Sequence, residues 1–77
     1  MAWLQDPYTA LTLMTREELA RVTGLHIWVV KMALTGETWP DPPVILALAK
    51  AVGIRPGEVA EALIGAWTRY HLERGRK

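Results

Sequence analysis

Side chains able to do acid–base or metal chemistry are few in this chain, and they are scattered. The two histidines, His26 and His71, lie far apart in the sequence, and there is no cysteine to act beside either of them. Glu17 and Glu18 are adjacent, so a helix would point them to different faces. Metalloprotease-type sites need two histidines one helical turn apart, a spacing that this sequence lacks. The sequence therefore predicts a protein that is not an enzyme, with no metal site and no cofactor.

The segment GLHIWVVKMALTG, residues 24–36, is instead suited to contact with a partner. Its polar side chains, His26, Lys31 and Thr35, can form hydrogen bonds with a second molecule. The rest of its middle is apolar, which is unusual for a helix that reads the edges of bases. Whether this helix contacts DNA or a different partner stays open at this point.

Trp28 and Met32 are four residues apart, so on a helix they form one apolar patch. Two interpretations of this patch remain. It belongs to the core, covered by the N-terminal segment with Trp3 and Leu4, or it is an exposed contact surface.

Helix-capping signals predict the elements that position this segment. Asp6 followed by Pro7 is typical of a helix start. Thr15 and Glu18 have the spacing of a capping box, which opens a second helix. Gly24 would end that helix in the left-handed backbone conformation, so a tight turn leads into the third helix.

The second half of the chain has the same kinds of helix start and stop signals. The third helix is predicted over residues 26–35 and ends at Gly36. Asp41 is the predicted cap of a fourth helix, which has two prolines in its first turn and ends at Gly53. A fifth helix is predicted to start near Pro56 and Gly57 and to run over about residues 58–74. Since no segment alternates with period two, the predicted fold is all-α, a compact five-helix bundle.

Composition limits the classes of protein that fit. Seventy-seven residues make one domain, residues 1–77, and 51% hydrophobic residues argue against disorder. The net charge is only +1, so binding to nucleic acid would need a local basic patch. The longest apolar run, residues 44–54, is too short to span a membrane, and the start of the chain does not have the pattern of a signal peptide. A cytoplasmic protein without membrane contact is expected.

Over about residues 15–60, the order and spacing of these signals resemble the lambda-repressor-like (Cro/CI-type) helix-turn-helix family. Members share a Thr-x-x-Glu-Leu-Ala helix start, a Gly-centred turn, a recognition helix, a Gly-x-x-x-Pro loop and a Leu-rich fourth helix. The matching residues here are Thr15, Glu18, Leu19, Ala20, Gly24, Leu25, Val30, Gly36, Pro40, Leu46, Leu48, Ala49, Lys50, Ala51 and Gly53. A weaker similarity links the same stretch to the N-terminal helical domain of cyanases, which has this fold without reading DNA. The catalytic portion of cyanases has no counterpart in these residues.

The resemblance implies a DNA-binding transcriptional regulator that acts as a homodimer, with the third helix in the major groove. Arg16 stands where the family usually has a Gln that touches phosphate. The positions implied to contact double-stranded DNA are Arg16, His26, Ile27, Trp28, Lys31, Met32 and Thr35. After the helix, members often have Lys or Arg, whereas this chain has Glu37 and Thr38.

The alternative is a helix-turn-helix module that binds protein, either a second copy or another partner. In the fifth helix, Val59, Leu63, Trp67 and Tyr70 form a stripe at helical spacing. Val59 and Leu63 are expected to reach the core, while Leu63, Trp67 and Tyr70 are the candidates for an oligomer or partner contact. The basic tail, residues 69–77, is either a solvated end or a second phosphate contact.

Overall fold

A computed structural model of the protein describes residues 6–75, which form five α-helices and no strand. The helices are α1 (Pro7–Thr12), α2 (Arg16–Thr23), α3 (Ile27–Thr35), α4 (Pro42–Val52) and α5 (Pro56–Gly75). The predicted all-α, five-helix fold is confirmed. The fifth helix begins at Pro56, near the predicted start, because proline is well tolerated in the first turn of a helix.

Side-chain caps fix the starts of α1 and α2. Asp6 accepts a hydrogen bond of 2.9 Å from the backbone N–H of Thr9, and this bond to the charged form holds the pKa of the Asp6 carboxyl below its ordinary value. At α2 the capping box is complete. The Thr15 hydroxyl accepts from the Glu18 N–H at 3.0 Å, and the Glu18 carboxylate accepts from the Thr15 N–H at 3.0 Å.

The predicted cap of α4 forms only in part. Asp41 has the extended backbone of an N-cap residue, but among the described residues its side chain makes no capping hydrogen bond. Pro42 and Pro43 have no backbone N–H, so the Val44 N–H, at the third helical position, is the remaining first-turn donor for an N-cap side chain. Asp41 does not accept from it.

The core is a cluster of aliphatic side chains contributed by all five helices. The fully buried members are Leu11, Leu19, Val30, Leu48, Val59 and Leu63. The expectation that Leu63 contacts a partner is therefore wrong. Its side chain points into the bundle at 0% exposure and is not available to a second molecule in this fold.

The end of α3 contacts α1 and α5. The Tyr8 hydroxyl donates a hydrogen bond of 2.7 Å to the carbonyl of Leu34, which joins α1 to α3. Gly36 ends α3 with a φ of +91°, and its backbone passes so close to α5 that a Cβ there would overlap the carbonyl group of Ala66. These contacts fix the orientation of α3 relative to the rest of the bundle. None of the described helices is long and apolar enough to cross a membrane.

Candidate nucleic-acid interface

The start of α2 and the first turns of α3 meet in the helix-turn-helix. The turn between them is held by the Gly24 N–H, which donates to the Ala20 carbonyl at 2.9 Å, and by the Leu25 N–H, which donates to the Thr23 hydroxyl at 3.2 Å. Gly24 has a φ of +77°, as predicted for this turn. The arrangement presents the outer face of α3 beside the first residues of α2.

Four of the seven predicted contact residues come together on this face. They line one open depression of about 400 Å³, together with Glu17, which was not among the predicted contact residues. The lining residues are Arg16, Glu17, Ile27, Trp28 and Lys31. Two cations and two apolar side chains therefore share a surface at which a polyanion with apolar groups would find both kinds of contact.

Lys31 and Trp28 are coupled within this depression. The Lys31 Nζ lies 4.6 Å from the centroid of the Trp28 ring, in the range of a cation–π contact. The Trp28 side chain is nonetheless 58% exposed, which supports the contact-surface interpretation among the described residues. Trp3 and Leu4, the residues expected to cover it under the other interpretation, lie outside the described residues.

His26 has a structural role as well as an exposed ring. Its Nδ1 accepts a hydrogen bond of 3.1 Å from the backbone N–H of Trp28, so His26 is the N-cap of α3. In the neutral tautomer that this bond requires, Nε2 carries the proton. The exposed ring therefore has one N–H that can be donated to a partner.

Thr35 and Met32 lie on a less exposed part of α3. Both are half-buried. The Thr35 hydroxyl lies 3.2 Å from the Met32 carbonyl and 3.2 Å from the Glu37 carboxylate. Since a hydroxyl has one proton to donate, Thr35 is already satisfied as a donor within the chain. Family members often have Lys or Arg at the position of Glu37, so this chain has an acidic side chain at the end of α3 where a basic one is usual.

Met32 and Trp28 also line a second, more apolar groove on the other side of Trp28. This groove lies between α3 and the start of α4 and has a volume of about 290 Å³. It is lined by Trp28, Val29, Met32, Ala33, Thr38, Trp39, Pro40, Asp41 and Val44. The proximity of Trp39 and Asp41 to α3 was not predicted, although the run Trp-Pro-Asp-Pro-Pro indicates a rigid loop that holds both at fixed positions.

The aromatic side chains of α5 form a cluster with the loop before α4. The Trp67 and Trp39 rings meet edge to face with centroids 5.0 Å apart, and His71 lies 4.6 Å from Trp67 and 5.2 Å from Tyr70. Arg74 lies over Tyr70 at 5.4 Å. Trp67 and Tyr70 are half-buried, so part of each surface remains available, and their role as a partner contact stays a prediction. Of the basic tail, residues 76 and 77 lie outside the described residues.

Comparison with protein families gives one match. A helix-turn-helix family model matches residues 13–59, which is more than half of the chain and includes the whole of α2, α3 and α4. No curated protein and no solved structure matches the chain. The lambda-repressor-like resemblance is confirmed by this match, whereas the similarity to cyanases stays a prediction.

Proposed function

The chain belongs to the lambda-repressor-like helix-turn-helix family, and from that premise we propose that it is a transcriptional regulator that binds double-stranded DNA as a homodimer. In this proposal α3 enters the major groove. The family consists of DNA-binding regulators, so DNA is the first candidate partner. Specificity and dimerisation depend on the side chains.

One observation carries the proposal: Arg16 and Lys31 line the same depression on the outer face of the helix-turn-helix. Arg16, at the first position of α2, is placed to hold a phosphate, because its guanidinium offers several donors to one anion. Lys31 can donate to a base acceptor such as the guanine O6. Trp28 and Ile27 offer apolar surface to a thymine methyl group.

Opposing charges limit the affinity that this surface can reach. Glu17 lines the same depression as the two cations, and Glu37 lies at the far end of α3. Each carboxylate near the DNA backbone repels phosphate. With a net charge of +1, the protein has no general attraction for DNA, so binding depends on a few local contacts.

The test is fluorescence polarisation of a labelled duplex of random sequence, titrated at about 50 and about 200 mM salt. We expect the affinity to fall by about a hundredfold or more between the two, since each phosphate contact releases counterions. R16A is expected to weaken binding and to reduce the slope of log affinity against log salt by about 1. K31A is expected to weaken binding as well.

The matched control is R55A, which removes one exposed positive charge outside the depression, in the turn between α4 and α5. It should leave both affinity and salt dependence nearly unchanged. Absence of binding at about 50 mM salt, or equal losses for all three variants, would contradict the proposal, because the attraction would then not involve this face.

A second candidate function is supported by the apolar character of α3 itself. Ile27, Trp28 and Val29 are 37%, 58% and 40% exposed. Trp28 lines the depression together with Ile27 and the second groove together with Val29. Exposed apolar residues that adjoin in this way are typical of a protein contact. In this alternative the module binds protein through Trp28 and Met32 or through Trp67 and Tyr70.

Sedimentation velocity over a range of concentrations distinguishes where such a contact lies. A dimer that W67A abolishes and W28A preserves supports dimerisation through α5, which leaves α3 free for DNA. A dimer that W28A abolishes supports the protein-binding alternative. A monomer at all concentrations contradicts homodimerisation of the free protein and the self-association form of the alternative.

A further inference from the structure

The groove between α3 and the start of α4 combines aromatic walls with one negative charge. It measures about 290 Å³, near the lower end of the range for small-molecule sites. Two of its lining residues are tryptophans, Trp28 and Trp39, which are 58% and 51% exposed. Of the described residues that line it, Asp41 is the one with a charged side chain. An apolar groove of this size with one carboxylate favours a ligand that is both small and positively charged.

The Asp41 carboxylate is available to such a ligand. At the N-cap of α4 it would normally accept hydrogen bonds from the backbone of the first turn, but among the described residues it makes no capping bond. Pro43 has no N–H at the second helical position, so one of the two backbone donors that could compete with a ligand for the carboxylate is absent. The carboxylate therefore retains its acceptor sites for a ligand.

The tryptophans add a second attraction for a cation. The negative faces of indole rings attract ammonium groups, most strongly when the ammonium is methylated and weakly hydrated. Trp28 already makes such a contact, since the Lys31 Nζ lies 4.6 Å from its centroid. Lys31 itself lines the depression on the other side of Trp28 and is not among the residues that line the groove.

We propose that this groove is a binding site for a small organic cation with a methylated ammonium group, held between Trp28 and Trp39 and neutralised by Asp41. The proposal does not depend on DNA binding, because it rests on the groove alone. The small volume and the single negative charge favour this occupant over a second copy of the chain, which would need a much larger complementary surface.

The experiment titrates the full chain with choline and follows the two indole N–H signals of Trp28 and Trp39 by NMR. The comparison ligand is the uncharged carbon isostere of choline, in which a tert-butyl group replaces the trimethylammonium. We expect saturable shifts of both signals with choline, and at least tenfold weaker binding of the isostere. Choline binds through charge as well as shape in this proposal, whereas the isostere retains the shape alone.

Variants locate the site. D41N should weaken choline binding several-fold, and W28A roughly tenfold. E61Q is the matched control, because it removes one exposed carboxylate on α5 outside this groove and should change nothing. Trp28 is largely exposed, so W28A is expected to fold, which circular dichroism verifies.

Three results would overturn the proposal. Equal affinity for choline and its isostere would show an apolar groove without selectivity for charge. Absence of saturable shifts would show that no such ligand binds. Concentration-dependent shifts of the same indole signals without ligand, lost in W28A, would show that a second copy of the chain occupies the groove.

Discussion

Gly36 is the residue at which the position of α3 is most sensitive to a single methyl group. Its φ of +91° disfavours any L side chain, and an added Cβ would also overlap the Ala66 carbonyl and approach the Trp67 nitrogen to 2.9 Å. G36A should therefore lower the free energy of unfolding by about 3 kcal/mol or more, since backbone strain and overlap with the α5 backbone add together. Urea denaturation followed by tryptophan fluorescence measures the loss.

Gly53 supplies the control for that substitution. Its φ is +74°, but nothing lies within 4 Å of the position that a Cβ would take. G53A should then cost about 1 kcal/mol, the backbone contribution alone. Equal losses for the two variants would mean that the close approach of Gly36 to α5 contributes nothing to stability.

The prolines after Asp41 provide a test of why its carboxylate is free. P43A restores an N–H at the second position of α4, where an N-cap side chain can accept it. Asp41 should then fold back onto the helix, and choline affinity should fall several-fold. P42A restores an N–H at the first position, which N-cap side chains rarely use, so it should leave affinity nearly unchanged. Titration of both variants by NMR makes the comparison. Equal choline affinity in the two variants would mean that capping by Asp41 does not compete with ligand binding.

At the scale of the helix, the start of α2 places Arg16. The capping box of Thr15 and Glu18 satisfies two backbone N–H groups that would otherwise lack partners. T15A should lower the free energy of unfolding by about 1 kcal/mol, as measured by urea denaturation. T68A is the control, because the Thr68 hydroxyl is exposed and bonds only within α5, to the Ile64 carbonyl. A loss in T68A as large as that in T15A would contradict a specific role for the capping box.

Local signals explain why the helices could be predicted from the sequence. Caps depend on residues three or four positions apart, as at Asp6 with Thr9, so their spacing alone indicates a helix boundary. Asp41 shows the limit even here. Its position as N-cap was predictable, but the spacing of the residues did not indicate that its side chain leaves the Val44 N–H without a capping bond.

Long-range packing explains what the sequence did not predict. Leu63 belongs to the same helical stripe as Trp67, yet Leu63 is fully buried in the core, whereas Trp67 is half-buried and contacts Trp39. The contact of Trp39 with Trp67 joins residues 28 positions apart in the chain, which no periodicity of one element indicates. The residues of α2 and α3 that line the depression could therefore be predicted from the sequence. The contribution of Trp39 and Asp41 from the α3–α4 loop to the second groove could not.

For the whole molecule, Trp28 is the residue that two proposed sites share. It lines the depression that holds Arg16 and Lys31, and it also lines the groove that holds Trp39 and Asp41. A cation bound in the groove engages the Trp28 ring and adds positive charge beside it. DNA in the major-groove arrangement would need the same ring at its surface. The two partners are therefore linked through one side chain, and any effect of one on the other must be reciprocal.

The sign of that linkage decides how the protein would respond to the ligand. A cation near the depression attracts phosphate, but at physiological salt a single charge is screened within about 8 Å. Holding the Trp28 ring in the groove removes apolar contact from the DNA side, a loss that screening does not reduce. Choline at saturating concentration should thus weaken DNA binding, and polarisation titrations with and without choline measure the change. D41N, which keeps the depression intact, should shift the effect to a choline concentration that is several-fold higher. Tighter DNA binding in the presence of choline would show that added charge outweighs the loss of Trp28.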